Sequence, residues 1–130
     1  MRRFLALLPA LFLAVTLLAQ PLAADGVASS GSFVGASNHV TTGGVSVVTN
    51  SDGSREVVLA EDFSLDGAPD PRVGLGKSGS YDPGSDLGEL ASNTGGQSYG
   101  VPSALDLDAY DEVYIWCRKF NVPLGVAKLK

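Results

Sequence analysis

Glu112-Val113-Tyr114-Ile115-Trp116-Cys117-Arg118-Lys119-Phe120 is the densest run of β-branched and aromatic residues in the chain. Such residues fit a pleated, half-buried surface, so the run reads as a strand. Side chains alternate along a strand, which puts Val113, Ile115, Cys117 and Lys119 on one face and Tyr114, Trp116, Arg118 and Phe120 on the other. Both faces begin apolar, predicting a central strand covered on both sides. Lys119 then places a charge about 6.6 Å beyond Cys117 on the same face. The strand is therefore expected to leave the core at the thiol, with Cys117 at the rim. Residues 122–129, interrupted by Gly125, read as a closing strand.

Upstream the same period of two recurs between turn signals. Residues 31–36 read as a short strand around Phe33. Val45, Val47, Val57 and Leu59 alternate with polar neighbours on either side of Asn50-Ser51-Asp52-Gly53, a hairpin with a four-residue loop. Phe63 and Leu65 continue the alternation, and Val73 and Leu75 form another short strand. Seven glycines interrupt residues 76–100, which read as an ordered Ω-like loop with short strands near 87–90 and 97–101. Residues 103–110 fit one helical turn. No segment past the leader carries a 3.6-residue apolar repeat. The expected fold is all-β, a small antiparallel sandwich or flattened barrel of about seven to nine strands.

The first residues set the compartment. Arg2 and Arg3 precede an apolar run over residues 4–19, then the small residues Ala23 and Ala24 and the polar Asp25. This is the order of a secretory signal peptide. The run is shorter than the roughly 20 residues of a membrane-spanning helix. Cleavage after Ala24 is expected, leaving residues 25–130 as one domain that is exported, periplasmic or extracellular, with no stable membrane span. Two of the nine basic residues leave with the leader, so seven face fourteen acidic ones. A net charge of −7 argues against a nucleic-acid partner.

Exported domains use cysteines in pairs, as disulfides. Cys117 is the only cysteine of this chain. Either it packs as a small buried hydrophobe, with burial holding the thiol protonated and inert, or it is reachable and does redox work or pairs with another molecule. Lys119 is the cation expected beside it, and Trp116 the aromatic neighbour on the opposite face. His39, the only histidine, is a polar loop residue, a base for Cys117 or an axial ligand. One histidine and one cysteine exclude blue-copper and structural zinc sites built from one chain. The absence of C-x-x-C-H excludes covalent c-type haem. The carboxylates of 82–89 lack calcium-loop spacing and read as solvated loop charges.

Residues 110–129, YDEVYIWCRKFNVPLGVAKL, resemble the signature of the DM-thirteen domain, a family labelled as an electron-transfer domain. Gly31-Ser32-Phe33, His39, the segment 67–70, Gly96-Gln97-Ser98-Tyr99 and Pro102 follow in matching order, so the likeness covers about residues 30–129. It implies an extracytoplasmic β-rich module whose one characteristic cysteine, here Cys117, acts as a bare thiol or holds a prosthetic group such as haem. It also implies an electron partner on a separate protein. Spacing gives haem, with Cys117 or His39 as axial ligand, no support. Gly74 stands where a tyrosine is common in that family. The different-class alternative is a non-catalytic binding or structural module in which Cys117 only packs.

Overall fold

The computed structural model describes residues 26–130, and the leader expected over residues 1–24 lies outside them. Eleven strands are found among the described residues. They are β1 (Gly26–Gly35), β2 (Thr41–Thr42), β3 (Gly44–Thr49), β4 (Arg55–Leu59), β5 (Ser64–Leu65), β6 (Pro71–Lys77), β7 (Ser80–Asp82), β8 (Gly88–Glu89), β9 (Gln97–Val101), β10 (Glu112–Cys117) and β11 (Val122–Lys128). The all-β expectation holds, with more and shorter strands than anticipated. Nine form one antiparallel sheet in the order β7-β6-β10-β11-β1-β3-β4-β9, with β8 on β6 beyond β7, while β2 and β5 pair separately. The sheet curls into a half-barrel around its apolar face. No helix among the described residues is long and apolar enough to cross a membrane.

Alternation decides which face is inside. Phe33, Val45, Val47, Val57, Leu59, Val73, Leu75, Val113, Ile115, Leu124 and Ala127 are all buried in one core cluster. Burying such side chains stabilises by about 1.5–3 kcal/mol each relative to exposure. β10 runs through the middle, paired to β6 on one side and β11 on the other, as its two apolar faces predict. The expected β3–β4 hairpin forms, with Val45 opposite Leu59 and Val47 opposite Val57. Its loop covers residues 50–54, one longer than read from sequence.

In the segment 76–100 the short strands expected near 87–90 and 97–101 are present as β8 and β9, while its beginning departs from the Ω-like reading. Ser78 and Gly79 both have positive φ and form a two-residue hairpin turn of the mirror-image type that matches strand twist. This joins β6 to β7. Where β6 runs out of strand partners, a side chain substitutes for one. The buried Ser85 hydroxyl accepts a hydrogen bond from the Leu75 amide at 2.7 Å and lies 2.9 Å from the Leu75 carbonyl and 2.6 Å from that of Asp82. Buried backbone groups need such partners. The turn expected in 103–110 is a single 3-10 turn, Leu107–Ala109, capped by the Asp106 carboxylate on the Asp108 amide.

β11 carries a bulge. Ile115 faces Gly125 while Trp116 faces Pro123, leaving Leu124 as the extra residue. The buried Thr41 hydroxyl donates to the Leu124 carbonyl at 2.8 Å. A Cβ on Gly125 would lie 2.6 Å from Thr41 Cγ2. The β2–β5 ribbon therefore closes the end of the half-barrel at which β10 finishes.

Candidate functional site

Cys117 is the last residue of β10, flanked by Pro71 and Val122 on the neighbouring strands. It is 1 % exposed and belongs to the apolar core cluster. The next residue, Arg118, is exposed. The thiol thus lies at the boundary in sequence but inside it in space. Cys117 lines none of the five principal surface clefts among the described residues.

The expectation that Lys119 shares the face of Cys117 is corrected. The strand stops at Cys117, and residues 118–121 form a turn whose last residue, Asn121, has φ 54°. Alternation does not extend through a turn. Lys119 Nζ instead lies 5.7 Å from the centroid of the Phe120 ring. Arg118 clamps the same end: its amide donates to the Asp70 carbonyl at 3.0 Å, and its Nε donates to the Asp70 carboxylate at 2.9 Å.

His39 sits in the loop between β1 and β2. Its Nδ1 is 2.8 Å from Asp66 Oδ1, and the Val40 amide donates to the other oxygen of that carboxylate at 3.0 Å. These two hydrogen bonds, the Val40 amide first, hold the Asp66 carboxyl below its ordinary range. The structure brings His39 to Asp66 and gives it no contact with Cys117. A haem needs a slot beside its axial ligand, and neither Cys117 nor His39 lines any of the five principal clefts among the described residues. The described residues do not fit that group. No cluster of three or more His, Cys, Asp or Glu side chains among them is placed to hold a metal ion.

Trp116 lies on the outer face, as alternation predicts, within an aromatic group that sequence reading did not assemble. Its ring stacks on Tyr81 with centroids 4.2 Å apart and planes 12° apart, and Tyr114 meets Tyr81 edge-on at 5.5 Å. Gly74 and Gly76 make the room. A Cβ on Gly74 would come 2.6 Å from Tyr81 Cε2, and one on Gly76 would come 2.4 Å from Tyr114 Cε2. Gly74, read from sequence as a departure from the family pattern, is the floor under the Tyr81 ring. Burial pushes the Tyr81 hydroxyl up to about 12, with the Asp86 charge adding to it. The sequence signal was the pair of alternating glycines on β6, which leave one face of a strand empty for rings from its neighbours.

The family model for Electron transfer DM13 matches residues 32–129, from the middle of β1 to just past the end of β11. No curated protein and no solved structure matched the chain. The match spans three quarters of the sequence, and the chain belongs to the electron-transfer DM13 family.

Proposed function

We propose that this member of the electron-transfer DM13 family is an exported accessory module whose redox group is Cys117, working with a separate partner protein. The match over residues 32–129 carries the reading, because it spans the half-barrel from within β1 onward, around the only thiol. Export is supported by the leader pattern alone: Arg2 and Arg3, the apolar run over residues 4–19, and the small residues Ala23 and Ala24.

Burial sets how the chemistry would run. A thiol 1 % exposed reacts only when its cover opens, and the shortest opening is the turn 118–121 with the adjoining end of β10. Such local openings cost less than global unfolding. In the opened state the Cys117 thiolate attacks one sulfur of a disulfide on the partner. The partner's S–S bond breaks, a mixed disulfide forms, and the partner's second sulfur leaves as thiolate. Attack by that thiolate on its own first sulfur reverses the step. Closed, the fold shields the sulfur from adventitious oxidation.

A second reading rests on the same burial. With Cys117 in the core cluster and outside the five principal clefts among the described residues, a binding or structural module in which Cys117 only packs is the alternative. Labelling kinetics separate the two. The purified protein is treated with an aromatic disulfide reagent in native buffer, and its global unfolding rate is measured separately. Modification orders of magnitude slower than a free thiol, yet clearly faster than global unfolding, supports gated redox use. Modification no faster than unfolding removes it.

A further inference from the structure

At the end of the half-barrel opposite Cys117, about 13 Å away along β10, a cleft of about 310 Å³ opens toward the core. Its floor is apolar, made by Val47 and Leu75 from the core with Leu107 of the 3-10 turn and Leu129 beyond β11. Arg55, the first residue of β4, stands at its edge.

Arg55 differs from the other arginines of the described residues. Arg72 donates through Nε and Nη2 to Asp86, and Arg118 through Nε to Asp70. The guanidinium of Arg55 makes only a loose ion pair, Nη1 at 3.9 Å from Asp108 Oδ1, and the Asp108 side chain is 88 % exposed. That separation is too long for a hydrogen bond. The rim also carries Ser29, Asp108, Tyr110 and Asp111, and the last two are engaged. The Tyr110 hydroxyl donates to Asp82 Oδ2 at 2.5 Å, and Asp111 Oδ1 accepts from the Ser78 amide at 3.1 Å. One forked donor with free valence thus borders an apolar hollow.

We propose that this cleft binds a small apolar monocarboxylate, with the carboxylate on Arg55 and the hydrocarbon against Leu107 and Leu129. The chemistry selects the class. A planar guanidinium recognises carboxylate through paired N–H donors. Val47, Leu75, Leu107 and Leu129 offer a hydrocarbon body apolar contact. A cavity of 310 Å³ accommodates about ten water-sized groups, the size of an eight-carbon acid. Asp108 is the group the ligand displaces from Arg55. The proposal is independent of any redox role for Cys117.

The purified protein is titrated with octanoate and followed by methyl resonances of Leu107 and Leu129 and by calorimetry. Octanol, octylamine and acetate serve as comparisons. Saturable octanoate binding that shifts those methyls is expected, with octanol and acetate at least about tenfold weaker, the factor for one charge-assisted contact at a part-exposed site. Arg55→Gln should weaken octanoate about tenfold, and Arg55→Lys should restore part of the loss. Asp108→Asn should tighten it. Octanol binding as well as octanoate, octylamine binding more tightly, or indifference to Arg55→Gln in a folded variant each overturns the proposal. So does the absence of any saturable shift at Leu107 and Leu129.

Discussion

Adding one methyl group at Gly76 tests whether the outer aromatic face is built on the glycines of β6. The new Cβ would stand 2.4 Å from the Ser80 carbonyl oxygen and 2.4 and 2.9 Å from two carbons of the Tyr114 ring. Gly76 is not at positive φ, so its backbone accepts alanine and the effect is one of space. Ser80 opens β7, and Gly76 faces Tyr81 in that ladder, so relief requires β7 to draw away from β6. Overpacking of this kind costs about 1–3 kcal/mol, and a weakened ladder hydrogen bond adds about 1 kcal/mol. Restricting the unfolded chain returns less than about 1 kcal/mol. The net loss is about 2 kcal/mol, or about 10 °C in Tm for a domain of this size. At Gly74 the obstacle is different. The nearest atoms are Cε2, the hydroxyl and Cζ of Tyr81, at 2.6, 2.9 and 3.2 Å, and a ring tip can tilt. Gly74→Ala should therefore cost less than about 1 kcal/mol while breaking the Tyr81–Trp116 stack. Trp116 is the only tryptophan, so its emission reports the stack directly. Thermal unfolding and fluorescence of both variants give the result. A Gly76→Ala protein as stable as the parent, or a Gly74→Ala protein with unaltered Trp116 emission, refutes the reasoning.

All four tyrosines of the chain, Tyr81, Tyr99, Tyr110 and Tyr114, are raised above the ordinary phenol value, three of them chiefly by burial and Tyr110 chiefly by its hydrogen bond to Asp82. A raised folded value stabilises fully below the unfolded value of about 10 and is lost as pH climbs through the folded one, about 12 for Tyr81. Tyrosinate absorbance should lag a free-tyrosine titration and then appear cooperatively with unfolding in that window; four independent ordinary titrations would contradict it. Ser85→Ala removes the group that satisfies the buried Leu75 amide and should cost about 2 kcal/mol in urea unfolding, whereas a change within about 0.5 kcal/mol would show that water replaces the hydroxyl. Arg118→Ala breaks an ion pair whose side chains are 60 % and 24 % exposed, so about 0.5–1 kcal/mol of local cover is lost. Cys117 labelling should speed up about two- to fivefold, while an unchanged rate would mean that opening does not pass through the 118–121 turn.

Face assignment was readable because the two-residue period is local. Val113 and Ile115 on one face, Tyr114 and Trp116 on the other, and the existence of the β3–β4 hairpin all follow from neighbours in sequence. Strand endings were not readable, because they depend on distant partners. Nothing in Arg118-Lys119-Phe120-Asn121 carries the glycine or proline that marks a turn. The chain stops there because Asp70, 48 residues away, takes both the amide and the guanidinium of Arg118, and because Asn121 accepts positive φ. That one misplaced boundary moved Lys119 from the thiol's face to Phe120 and took Cys117 from the rim of the core into it. In residues 76–100 the strands β8 and β9 were legible, but the turn into β7 was missed for the converse reason. Ser78-Gly79 was a turn signal hidden among many glycines, and the Ser85 hydroxyl completes a strand edge that periodicity does not register. The cleft is the extreme case. Arg55, Leu107 and Leu129 lie on three separate segments with no shared spacing, and only closure of the sheet brings a loosely paired guanidinium to an apolar hollow. Local alternation thus fixes what is buried in this family member, while contacts across the sheet decide which groups remain able to react or bind.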